Sequence, residues 1–172
     1  MQQVSLFGGP PAKSAVISPC ERFRYRLERV LRERGPTAAV IMVNPSTADA
    51  VTDDATIRKL EGFGNALGWR RFVVGNLFAR RAKDVNALKA VVDPVGPENY
   101  LWLGSIMTEA DVVIFAWGAS AKLPKRLRDG WRWAADTALA LGHSPQCWGT
   151  AADGHPLMIP YRSELRPWTR TQ

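Results

Sequence analysis

Four short stretches hold the residues best suited to chemistry: Asn44-Pro45-Ser46-Thr47-Ala48-Asp49, Asn76-Leu77-Phe78-Ala79-Arg80-Arg81, Trp117-Gly118-Ala119-Ser120-Ala121-Lys122, and Asp153-Gly154-His155-Pro156. An asparagine amide offers a donor and an acceptor side by side, which suits it to reading a polar edge. Asp49, Asp53 and Asp54 add carboxylates that could orient water or a sugar hydroxyl, and they could equally cap the helix that follows. Only two histidines exist, His143 and His155, so any acid, base or imidazole donor is one of these. Two distant cysteines, Cys20 and Cys147, form no CxxC or Cys/His ladder and read as reduced, mostly buried thiols. No metal and no cofactor is expected.

Each stretch has a plain structural reading. An Asn before Pro is usually a turn residue, and an Asn ending a strand is often a cap. Their common setting argues for more. Residues 37–43 (TAAVIMV), 72–75 (FVVG) and 111–117 (DVVIFAW) are short continuous apolar runs, as buried parallel strands should be, and a fourth short strand is expected near 145–149. Between them lie helical patterns. Residues 54–67 carry Ile57, Leu60, Phe63 and Leu67 at helical spacing, between a capping Asp and Gly68. Gly96-Pro97 opens a second helix with Tyr100, Leu103 and Met107 inward. A third is expected over 123–141, with Leu127, Trp131, Ala134, Ala138 and Leu141 as its inner stripe. The expected fold is therefore α/β: a three-layer α/β/α sandwich around a mostly parallel four-stranded sheet. Residues 1–13 read as a loose arm, 14–32 as a hairpin or strand leading into a helical turn, 37–150 as the core of a single domain, and 151–172 as loop and tail. In such sheets ligands bind beyond the carboxyl ends of the strands, which is where all four stretches fall.

The chain has 172 residues, 46% apolar and 23% charged, which fits one globular domain. No apolar run approaches the ~18 residues of a membrane span, and no secretory leader is read at the start. A cytoplasmic monomer is expected. Lys and Arg outnumber Asp and Glu by 23 to 16, a formal charge of +7 that favours a polyanionic partner. Arg80 and Arg81 follow the second strand, and Lys122, Lys125, Arg126 and Arg128 cluster before the third helix. Both groups could be solvated faces or a phosphate-tracking rim beside the cleft.

The ordered strings ISPCERFRYRLER (17–29), NPSTAD (44–49), DDATIRK (53–59), NLFARRAKD (76–84), DPVGPEN (93–99) and FAWG (115–118) resemble the bacterial family known as domain of unknown function 1643. More distantly, the order of elements resembles the uracil-DNA glycosylase superfamily. That resemblance implies a water-positioning role for Asn44 in its Asn-Pro pair, base reading by Asn76, a Trp117-Gly118 strand end, and a His155-Pro156 loop whose imidazole bonds the base carbonyl. Three departures stand out: Asn44 replaces the carboxylate of the Asp-Pro version, no phenylalanine stands in the base-stacking place after the first motif, and Leu-Met-Ile-Pro rather than Ser-Pro-Leu-Ser follows His155-Pro156. The implied chemistry is cleavage of an N-glycosidic bond in a flipped nucleotide, with Asn44, His155 and Asp49 as catalytic candidates. Pro45, Ser46, Asp53, Asp54, Asn76, Phe78, Trp117 and Gly118 would line the substrate site. Leu157 or Met158 would serve as an apolar wedge into DNA. A non-catalytic module binding nucleic acid or a modified base, and a hydrolase of a free nucleotide or nucleoside, are the alternatives.

Overall fold

The computed structural model describes residues 12–170, so residues 1–11 of the expected arm lie outside the described residues. One sheet of seven strands runs through the molecule, in the order β1-β2-β4-β3-β5-β6-β7. Its strands are β1 (Lys13–Ile17), β2 (Arg24–Val30), β3 (Thr37–Met42), β4 (Arg71–Asn76), β5 (Val112–Phe115), β6 (Gln146–Cys147) and β7 (Arg166–Pro167). The expected four-stranded sheet is thus too small. The neighbours β4, β3, β5 and β6 pair in parallel, whereas β1–β2, β2–β4 and β6–β7 are antiparallel.

The reason for the larger sheet lies in residues 24–30, RYRLERV. Their burial alternates along the run, which suits a strand and leaves no apolar stripe for a helical turn. The segment pairs with β1 as a hairpin and adds to the edge at β4.

All six residues of β3 are buried, as befits a central strand covered on both faces. Helix α1 (Ala55–Leu67) buries Ile57, Leu60 and Phe63 on the face that carries Ala38, Val40 and Val74. Helices α2 (Asn99–Glu109) and α3 (Arg132–Ala140) cover the opposite face, packing Leu103, Ile106, Ala134 and Ala138 against Ala39, Ile41, Val113 and Phe115. The start of α1 follows its sequence signals: Asp54 accepts the amide of Ile57, and Gly68 closes the helix at φ 75°.

The third helix departs from expectation. It begins at Arg132, and residues 120–122 and 125–127 form only single 3₁₀ turns. Pro124 explains this, because it lacks an N–H and drives Leu123 into extended backbone (ψ 147°). Leu141 is 43% exposed and Tyr100 45%, so neither belongs to an inner stripe. Tyr100 instead lies against Trp133 on the surface, with ring centroids 4.5 Å apart. Cys147 is buried, but Cys20 is exposed. No helix among the described residues is long and apolar enough to cross a membrane.

The chain leaves β3 through α1 to reach β4 on one side, then returns through α2 to β5 on the other. The connections diverge between β3 and β5. Ligands of such sheets bind at the carboxyl ends beside that divergence, here between residues 44–54 and residues 116–131.

Close packing of α2 on the sheet sets a test. A Cβ on Gly75 would lie 2.6 Å from Leu103 Cδ2, whereas one on Gly104 would meet nothing within 4 Å. Gly75→Ala should cost about 1–3 kcal/mol. Gly104→Ala, inside α2, should gain about 0.5–1 kcal/mol. Urea unfolding of both variants distinguishes these outcomes.

Candidate functional site at the carboxyl edge of the sheet

The strand register brings the four polar stretches to one edge. Met42 pairs with Asn76, and Ile41 with Phe115. Beyond the strands the pattern continues, with the Phe78 amide on Val43 O (2.9 Å), the Ala116 amide on Ile41 O (2.8 Å) and the Gly118 amide on Pro156 O (2.9 Å). Neighbouring strands lie ~4.8 Å apart, so the ends of β4 and β5, either side of β3, are about 10 Å apart. That is the scale of one nucleotide.

Asn44 is half-buried at the mouth of this edge. Its Nδ2 donates to Ala82 O (2.9 Å) and Pro45 O (3.3 Å), while the Pro45 carbonyl accepts the Ala82 amide. Two carbonyl acceptors fix which way the amide faces, leaving Oδ1 as its remaining acceptor. Pro45 is buried, and Ser46 is half-buried beside it.

Asn76 is 1% exposed and belongs to the α1 side of the sheet. Its Oδ1 accepts from Arg24 Nη2 (3.4 Å), and its backbone carbonyl accepts from Asn99 Nδ2 (2.9 Å). A β-bulge puts Arg24 there. The β1–β2 register steps from Val16↔Arg26 to Ile17↔Arg24, making Tyr25 the extra residue and turning Arg24 toward the 44–54 loop. Arg24 Nη1 then donates to Ala48 O (2.9 Å).

Trp117 is buried on the opposite face, in an aromatic cluster with Phe115, Trp131 and Trp168. Its Nε1 donates to His155 Nδ1 (3.2 Å), and the Trp131 ring stands edge-on to His155 at 5.1 Å. An indole N–H only donates, so Nδ1 carries the lone pair and Nε2 carries the proton. His155 therefore presents an Nε2–H. Asp153 holds this loop in place, accepting the amides of His155 (3.2 Å) and Ser120 (2.8 Å). Burial pushes its carboxyl up, but the backbone amides of His155 and Ser120 outweigh it and hold it below the usual range. Gly118 sits at φ 85°, with Met158 packed over it. Met158 is 46% exposed, whereas Leu157 is partly buried against Gly149.

Phe78 is 1% exposed, and a Cβ on Gly130 would touch its ring, so it packs in the core of the α2/α3 face. His143, the other histidine, has its Nε2 2.6 Å from Met107 O, near the C-terminal end of α2.

The three aspartates are each engaged separately. Asp49 Oδ1 accepts the amides of Thr52 (2.7 Å) and Val51 (2.8 Å), which hold its carboxyl below the usual range. Asp54 caps α1. Asp53 pairs with Lys13 and with Arg29 (2.8 Å). Burial alone would raise its carboxyl, but Lys13 and Arg29 hold it low. Arg29 is 1% exposed and also donates to Asp49 O (2.6 Å) and Glu28 O (2.8 Å). Sequence reasoning did not place Arg24 or Arg29 at the site. The available signal was a seven-residue strand carrying three arginines.

The basic rim divides into engaged and free cations. Arg126 Nη2 donates to the carbonyls of Leu88 (2.8 Å) and Lys89 (3.2 Å), and Arg128 Nε to that of Leu123 (3.2 Å). Arg80 lies over the Phe23 ring, and Arg81 donates to Glu21 O (3.3 Å). Lys122 and Lys125 are exposed in the two 3₁₀ turns that follow Trp117-Gly118 in the chain. A cavity of about 460 Å³ opens at the opposite edge of the sheet, among Glu28, Leu31, Arg32, Arg70 and Arg71, away from every motif named above.

Two tests follow from this geometry. Removing Arg29 leaves Asp53 without its buried partner, so Arg29→Met should cost about 3 kcal/mol at neutral pH. Asp53 is depressed in the folded state, so its contribution is present above the ordinary carboxylate pKa and fades as pH falls through the acid range. The parent's stability should therefore drop more steeply below about pH 4 than that of Arg29→Met. Separately, nitrogen NMR should find His155 protonated at Nε2 in the parent, and Trp117→Phe should abolish that tautomer preference.

Neither the curated proteins nor the solved structures gave a match to this chain. One family model matches residues 24–157, the protein of unknown function DUF1643. The match begins at Arg24 and closes just past His155-Pro156, so it spans all four motifs and the β2 arginines that hold the first of them. The chain therefore belongs to the family DUF1643.

Proposed function

We propose that this chain is a DNA glycosylase-like hydrolase, with a sandwich of the uracil-DNA-glycosylase kind, which draws a base to the carboxyl ends of β3 and β5 and cleaves its N-glycosidic bond. The observation that carries the reading is the meeting of Asn44-Pro45, Asn76, Trp117-Gly118 and His155-Pro156 at successive strand ends along the carboxyl edge of one sheet. In this reading Asn44 Oδ1 holds a water, and the water oxygen adds to C1′ of the sugar. The C1′–N bond breaks and its electron pair leaves with the base, whose negative charge the His155 Nε2–H offsets. The proton lost by the water ends in solvent or on the departed base. An amide is a poor general base, so rate enhancement comes mainly from positioning and electrostatics. The surplus of cations supports a polyanionic substrate, and Lys122 and Lys125 are the rim residues free to meet phosphate. Met158, exposed beside Gly118, suits the wedge role better than the packed Leu157.

A second reading, a modified-base binding module without catalysis, is favoured by the amide at position 44 in place of a carboxylate.

The test is a panel of oligonucleotides, each carrying one modified base, read as strand breaks after alkali. The parent should release at least one base. Asn44→Ala should keep binding and lower the rate about 10²-fold or more. Lys122→Glu with Lys125→Glu should weaken binding to every sequence and reduce its salt slope by about one unit per contact. Binding without abasic sites would move the function to the second reading. No binding even at low salt would point to a free nucleotide.

A further inference from the structure

The geometry points to Arg24 as a specificity-determining residue, which makes the candidate site read a base edge composed of hydrogen-bond acceptors. The inference rests on the glycosylase reading above and deepens it by naming a class of base.

Arg24 is 3% exposed. Among the described residues it forms no ion pair, and its Nε has no partner. A buried guanidinium without a carboxylate is costly, and its remaining contacts say what it does there. Nη1 donates to Ala48 O, which fastens the NPSTAD loop, and Nη2 donates to Asn76 Oδ1. Burial lowers the Arg24 pKa to about 10, with Asp54 acting in the opposite sense, so the group remains a cation at neutral pH. Asn99 fixes the Asn76 backbone from the other side through Nδ2. The Asn76 amide is thereby held with its oxygen against a permanent donor and its Nδ2 turned away. Among the described residues Nδ2 has no hydrogen-bond partner.

An unconstrained asparagine offers one donor and one acceptor, the match for a ring N–H beside a carbonyl, as on uracil. Here one lone pair of the acceptor is engaged and a positive charge stands behind the other. A ring N–H brought to Asn76 meets an oxygen already facing a cation, which repels the incoming N–H dipole. A ring nitrogen lone pair or a carbonyl oxygen meets N–H donors backed by that cation, which strengthens them. The favoured class is a base whose reading edge has lost its ring N–H, such as an O-alkylated pyrimidine or purine. Arg24 acts through Asn76 and need not touch the base.

Matched pairs in otherwise identical DNA test this: uracil against O4-methyluracil, and hypoxanthine against O6-methylhypoxanthine. Within each pair, O-methylation replaces a ring N–H with an acceptor nitrogen. The parent should favour the O-methylated member by about tenfold or more in kcat/KM. Arg24→Met, which frees Asn76 Oδ1, should erase or reverse the preference, and Arg24→Lys, which keeps the cation, should retain it. A merely structural role would lower both members of a pair equally and leave the ratio unchanged. An unchanged ratio in Arg24→Met, or a parent that favours the N–H members, overturns the assignment of Arg24 while leaving the glycosylase reading intact. Should Arg24→Met fail to fold, the parent's own preference still decides. A parent that releases no base from any pair or from the wider panel overturns the glycosylase reading itself.

Discussion

Two buried guanidiniums on one edge-side strand hold the loop on which the candidate site depends. Arg29 joins Asp53 and the carbonyl of Asp49, while Arg24 joins the carbonyl of Ala48 and the amide of Asn76. The loop between β3 and α1 carries three aspartates and a proline, so it has little apolar surface of its own to bury. Charge-assisted bonds to its backbone take the place of that packing. Burying arginine is expensive unless every partner is in position. The β1–β2 hairpin, its bulge at Tyr25 and the 44–54 loop must therefore form together. The hairpin is a structural requirement of the site and not a decoration on a four-stranded core.

The other side of the carboxyl edge is built on aromatic packing. Trp117, Trp131, Phe115 and Trp168 cluster with centroids between 4.5 and 6.3 Å apart. Large rings bury extensive area and, once packed, have few alternative rotamers, so the cluster gives a rigid platform. The one polar atom that Trp117 brings is spent on His155 Nδ1, which converts packing rigidity into a defined tautomer. Asp153 ties the same loop to Ser120, so the ends of β5 and β6 form one unit. The carboxyl edge thus has one side fixed by charge and one by aromatic packing. Asn44 lies between them, its amide fixed by two carbonyls.

Much of this was legible in the sequence, because local rules and global fold agree there. The apolar runs at 37–43 and 111–117 hold the central parallel strands β3 and β5, since nothing but burial on both faces suits them. Helix α1 began and ended where Asp54 and Gly68 require. Pro124 was equally visible, and a strict reading of it would have stopped the third helix from starting at 123. The convergence of the four motifs followed from topology alone, since parallel strands put all their carboxyl ends on one edge.

Tertiary structure decided what those residues do once they arrive. Periodicity cannot foresee a bulge, and the bulge at Tyr25 is what brings Arg24 beneath the loop. Sequence places Asn76 at a strand end; only the folded chain sets its oxygen against the Arg24 cation. Sequence gives Phe78 and Arg126 to the site, whereas packing on Gly130 and the carbonyls of Leu88 and Lys89 commit them to the scaffold. Position along the strands is a local property, written in apolar runs, caps and prolines. Hydrogen-bond partnership is a property of residues far apart in the chain, settled only when the sheet closes around them.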